Sequence, residues 1–211
     1  MITETGTQIR ARTERTSALN KPLDPVKLLL LLLLAGTALG TALRQLFPDA
    51  ALHPLLTQGL CYTEHLRTLW DVFCTAALPV VLLLGGVLLL SGWGWGQPLL
   101  CALLLSRGTA YGIAAADCFL QYGFKQGFCI AGAFIFPMAF LSAMLLLFPL
   151  RDALALSCRI AEYLVKSNAD PEIGAKQHHL VMTVLRSVLL TVPAAGVHTA
   201  LIWALNGRLP A

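Results

Sequence analysis

The chain has 211 residues, of which 57% are hydrophobic and 12% charged, where soluble domains carry about 25% charged residues. That supply cannot cover a water-facing surface, which excludes a soluble globular domain. The formal charge of +4 would suit nucleic acid, but most basic residues flank apolar runs, a placement that membrane topology explains and nucleic acid does not. The composition predicts an all-α, polytopic integral membrane protein in the cell membrane, with the lipid bilayer as its surroundings and a single membrane domain over residues 28–207.

Residues 1–27 are polar, rich in Thr and Arg, and closed by Pro22 and Pro25; they predict a flexible basic cytoplasmic tail. An unbroken apolar run follows from Leu28 to Leu43. Lys27 and Arg44 snorkel at its ends, and the predicted first span covers residues 28–46. The basic flank, the leucine run and Ala38-Leu39-Gly40 also resemble a secretory signal, but the further spans favour an uncleaved first helix. Residues 44–69 mix polar and apolar side chains, with His53, Cys61, Glu64 and His65 among them. Their irregular spacing and mixed ligand types argue against zinc, and an extracytoplasmic loop with a short amphipathic helix is expected. The six cysteines include no C-x-x-C pair, so no disulfide framework or metal site is predicted.

The second span covers residues 70–91 and ends in Gly92-Trp93-Gly94-Trp95-Gly96-Gln97-Pro98, a tight re-entry turn with tryptophans at the interface. The third covers 98–122 and carries two charges, Arg107 and Asp117, amid glycines that permit close helix approach or a local break. Ten residues separate the charges, about 15 Å of helical rise, so within one span they meet only if it breaks at Gly108 or Gly112. Either other helices satisfy each charge, or the span is discontinuous around a cavity as in transporters, or the charges face a partner. A turn at 121–127 precedes a fourth span at 128–148 with Pro137 at its middle, and Pro149 is expected to end it.

Residues 150–166 alternate Leu150, Ala153, Leu154, Ile160, Ala161 and Leu164 against Asp152, Arg159, Glu162 and Lys166; this spacing predicts an amphipathic cytoplasmic helix at the membrane surface. A fifth span covers 180–205, with a kink at Pro193. The tail and the loop after span four hold Arg10, Arg12, Arg15, Lys21, Lys27, Arg151, Arg159, Lys166 and Lys176, with Arg186 at the loop's edge. The opposite side holds Arg44, Arg67, Lys125 and Arg208, which predicts a cytoplasmic N-terminus. No nucleophile–base pair, paired carboxylates or H-E-x-x-H motif occurs, so neither catalysis nor a cofactor is expected. His178-His179 point about 100° apart on a helix and read as interfacial residues, and His198 as a polar group bonded to a neighbouring helix.

Gly96-Gln97-Pro98, Leu103-Leu104-Leu105-Ser106-Arg107-Gly108, Tyr111-Gly112, Gln121-Tyr122-Gly123-Phe124-Lys125-Gln126-Gly127 and Phe136-Pro137 resemble the central signature of the stage II sporulation protein M family. Relatives often carry an amide soon after that proline, where this chain has Met138-Ala139-Phe140. The resemblance implies a non-enzymatic membrane scaffold in the mother-cell septal membrane that localises wall hydrolases like sporulation proteins D and P during engulfment. It marks Arg107, Gly108, Gly112, Gly123, Phe124, Lys125 and Pro137 as structural or partner-binding candidates, beside Asp117, which matches no family motif. A small transporter or permease subunit with Arg107 and Asp117 in one cavity is the alternative expectation.

Overall fold

The computed structural model describes residues 24–47, 68–166 and 173–205, and among these every regular element is helical. The predicted tail and the His53–His65 region lie outside the described residues. Helix α1 is Pro25–Leu46, α2 Leu69–Ser91, α3 Gly96–Ile130, α4 Phe136–Lys166 and α5 Ile173–Leu205, with a π-helical turn at Ala131–Ile135 between α3 and α4.

Helix α1 starts three residues before the predicted span. Pro25 occupies its first turn and the Asp24 carboxylate accepts from the Val26 N–H at 3.3 Å. Proline suits this position because its missing N–H would have no partner there and its φ is already helical. The 22-residue helix is about 33 Å long, enough to cross a hydrocarbon core of about 30 Å. Helix α2 matches the prediction to within one residue. Thr68 caps it, accepting from the Asp71 N–H and donating to the Asp71 carboxylate.

Four helical stretches are long and apolar enough to cross a membrane: Pro25–Leu46, Leu69–Ser91, Gly96–Val165 and Ile173–Ala204. The chain is therefore a multi-pass membrane protein. Five separate spans do not emerge, because helical structure persists on both sides of the predicted 121–127 turn and merges two of them into one 70-residue stretch. That stretch is not straight. At Gly123, φ is 71° and ψ is 177°, a region open in practice only to glycine. There the chain doubles back: the Cys118 thiol donates to the Gly127 carbonyl at 3.4 Å, and Tyr111 bonds Ser142, 31 positions on.

Pro137 is the second residue after the π-helical turn. Its ring would crowd the carbonyl four residues back in an α-helix; in the wider turn the neighbouring Phe136 N–H bonds Ala131, five residues back. Pro149, expected to stop a span, instead lies buried within α4. An interior proline costs about 3 kcal/mol, and the burial of Leu146, Leu147, Leu150, Ala153 and Leu156 around it offsets that loss. The 150–166 segment is thus the second half of α4 and no separate helix. Its expected faces hold only in part, since Leu164 is exposed and Asp152 is largely covered. Helix α5 begins at Ile173, earlier than predicted, with Ile173 packed on the core and Pro193 inside the helix.

A side-chain core joins Val80, Leu84 and Val87 of α2, Leu100 and Leu104 of α3, Leu146, Leu147 and Leu150 of α4, and Leu180 and Val184 of α5. Helix α1 packs chiefly along α3, and α2 against α4 and α5. The Trp93–Gly96 turn is tied to α4 by the Ser157 hydroxyl, which donates to the Trp93 carbonyl at 2.7 Å. Trp93 and Trp95 remain exposed.

Candidate functional site

The residues singled out by the sequence gather along α3, on two faces and at its reversal. The first face meets α1. Gly36 and Gly40 of α1 and Gly108 and Gly112 of α3 bring the two backbones together. A Cβ on Gly36 would lie 2.6 Å from the Leu105 carbonyl oxygen and 3.1 Å from the Gly108 Cα. A Cβ on Gly40 would strike the Thr109 carbonyl, and one on Gly112 the Thr37 carbonyl. The pentapeptides Gly36-Thr37-Ala38-Leu39-Gly40 and Gly108-Thr109-Ala110-Tyr111-Gly112 are nearly the same sequence. Each presents its two glycines to the other, as small residues four apart do in membrane helix pairs. Thr37, Thr41 and Thr109 keep their hydroxyls on carbonyls of their own helices, so no polar group is left bare in the seam.

The seam runs in register, Gly36 beside Gly108, Gly40 beside Thr109 and Thr41 beside Gly112, so α1 and α3 are parallel. It is closed at its far end by the ion pair between Arg44 Nε and Asp117 Oδ1, both about four-fifths covered. Sequence reasoning left Asp117 without a motif; its partner is the arginine assigned to snorkelling at the end of the first span.

The second face meets α4. Arg107 is 5% exposed. Its Nε–H donates to Tyr111 Oη at 3.2 Å, and its guanidinium lies 4.9 Å from the centre of the Tyr111 ring. Tyr111 Oη is 2.6 Å from Ser142 Oγ, and Ser142 donates to the Met138 carbonyl at 2.6 Å and approaches that of Ala139 at 3.2 Å. Because the Ser142 proton is committed to its own helix, the tyrosine donates to the serine. The polar chain therefore points one way, from cation through phenol and hydroxyl to carbonyl, and each bond polarises the next.

Arg107 and Asp117 do not share a cavity. Helix α3 is continuous through Gly108 and Gly112, and ten residues of helix turn the two side chains about 80° apart, one toward α4 and the other toward α1. The break lies at Gly123. Beyond it Phe124 is 80% exposed, Lys125 is exposed, and the Phe119 and Phe124 rings stack across the bend at 6.0 Å. Gly127 packs against the Phe119 backbone. Pro137 lies just beyond the π-helical turn, in the first turn of α4.

Gly36, Gly40, Tyr111 and Ser142 escaped attention as site residues. The G-x-x-x-G spacing in two apolar stretches was the available signal for the first two; nothing short of the fold brings Ser142 to Tyr111. His198 is buried, and its Nδ1 has no hydrogen-bond partner, so the expected interhelical bond is not made there. Among the described residues no group of three His, Cys, Asp or Glu side chains is placed to hold a metal.

Comparison with protein-family models, with curated proteins and with solved structures returns no match. The likeness to the stage II sporulation protein M family thus rests on the short motifs between Gly96 and Pro137 alone.

Proposed function

We propose that the chain is a non-enzymatic membrane scaffold that crosses the bilayer five times from a cytoplasmic N-terminus and presents the Gly123–Lys125 reversal to an extracytoplasmic partner. The observation that carries this reading is the rigid frame behind the reversal. Backbone-to-backbone contact and an ion pair lock α1 to α3, and the exposed Phe124 and Lys125 stand at the end of that frame. Aromatic side chains such as phenylalanine are enriched in protein interfaces, where charged groups sit at the rim.

Five crossings are supported by length. A straight 70-residue stretch would extend about 105 Å, whereas two arms meeting at Gly123 fit a core of about 30 Å. The parallel course of α1 and α3 suits a first and a third crossing, and the excess of Lys and Arg in the tail and near residues 150–176 supports a cytoplasmic N-terminus. The motif resemblance directs the choice of partner toward peptidoglycan hydrolases akin to sporulation proteins D and P, at a septal membrane during engulfment.

Photo-crosslinking residues placed at positions 124 and 125 in the native host test the proposal. A crosslink to a wall hydrolase is expected at both positions, and it should disappear when the probe is moved to the lipid-facing Leu82. The scaffold reading is overturned if neither position captures a hydrolase while the protein accumulates normally and engulfment proceeds unchanged in a deletion strain.

A further inference from the structure

We propose that Arg107 is the receptor for a carboxylate held within the membrane. A guanidinium carries five N–H groups; Tyr111 takes the one on Nε, and the tyrosine ring takes only the cation's face. Among the described residues no acceptor meets the two terminal nitrogens, and no carboxylate lies within ion-pair distance of them. Asp117, the nearest acid in sequence, is engaged by Arg44 on the other side of the helix.

Depth sharpens the point. Arg107 lies 11 residues into α3, about 16 Å along its axis, close to halfway across a core of about 30 Å. A charge at that depth is expensive, and such residues as a rule face a partner charge or a water-filled path. Tyr111 and Ser142 stabilise the cation without neutralising it, because both are neutral and both direct their protons away from it.

These features select the ligand. Two terminal nitrogens in one plane match the two oxygens of a carboxylate. One positive charge, with no further donor from Tyr111 or Ser142, balances one negative charge and leaves a phosphate dianion under-compensated. Mid-depth also excludes a phospholipid headgroup. The ligand chemistry is therefore a monocarboxylate, supplied by a small free acid or by an Asp or Glu side chain on a partner's transmembrane helix.

The test uses the full chain in lipid nanodiscs. Propionate, its neutral counterpart propionamide and inorganic phosphate are titrated while thermal stability is followed. In a second arm, association with a leucine-rich transmembrane peptide bearing one central Asp, or Asn in its place, is followed by energy transfer. Saturable stabilisation by propionate alone supports a small-acid ligand; Asp-dependent peptide association supports a partner helix. In either arm Arg107→Lys, which keeps the charge and loses the planar fork, should weaken the response about tenfold or more. Should that variant fail to accumulate, Tyr111→Phe keeps the cation–π contact, frees Nε and should change the same affinity severalfold. The proposal is overturned if propionate acts no better than propionamide and the Asp and Asn peptides associate equally. It is equally overturned if phosphate matches propionate, or if the response survives both substitutions unchanged.

Discussion

Helix α3 is held in two ways along its length. Toward α1 it offers glycine, and backbone lies against backbone at Gly108 and Gly112. Nearer Gly96 it offers Leu100 and Leu104 to a core of interdigitated aliphatic side chains from α2, α4 and α5. In water the second region would dominate stability through the hydrophobic effect. In a bilayer the lipid tails are as apolar as leucine, so helix association draws on packing and polar contacts instead. The seam, where no side chain can yield, is then the less forgiving of the two.

Substitutions can break or sharpen this contrast. The largest effect belongs to Gly40→Ala or Gly112→Ala, because each new methyl meets a backbone carbonyl. Either should cost about 3 kcal/mol or more, beyond ordinary overpacking, and be seen as a collapse of the monodisperse peak and of the thermal midpoint in detergent. Leu84→Ala empties part of the fully buried side-chain core. It should cost about 2–3 kcal/mol, toward the lower end for buried leucine, because cavity formation remains while the water-transfer part is muted in lipid. If Leu84→Ala proves the more damaging, the contrast drawn here fails.

Next in size is the Arg44–Asp117 pair. A double-mutant cycle with Arg44→Gln and Asp117→Asn should return a coupling of about 1 kcal/mol, modest because both groups are partly exposed. The smallest effect has the opposite sign. Gly85→Ala on α2 meets nothing within 4 Å and should stabilise by no more than about 1 kcal/mol through helix propensity. Thermal unfolding that ranks Gly85→Ala beside Gly112→Ala would show that glycine matters here for flexibility and not for close approach.

Much of the fold was legible before the structure. Long leucine-rich runs specify membrane helices whatever surrounds them, and α2 falls within one residue of its predicted start. Prolines misled the boundaries. Pro25, read as closing the tail, instead opens the first helix, since the first turn needs no donor from it. Pro149 fails to end α4 because buried leucines on both sides hold the helix together. At the candidate site, the sequence flagged Arg107, Asp117, Gly108, Gly112 and Gly123 and placed a turn at 121–127, where the chain does reverse at Gly123; the alternative that required a break at Gly108 or Gly112 fails, because α3 runs unbroken through both.

Composition by itself determined that this chain belongs in a membrane, because so few charges cannot cover a water-facing surface, and the long unbroken apolar runs made its crossings helical. Local pattern located the helices and marked the glycines. Which glycines matter was decided only by tertiary structure: Gly36 and Gly112 are closed against backbone, while Gly85 and Gly132 face open space, though all four sit in helical stretches of similar composition. Lateral register between helices sets that difference, as it sets Arg44 beside Asp117 and Ser142 beside Tyr111. A sequence records each helix's own period; the neighbour each face meets depends on how the whole bundle closes.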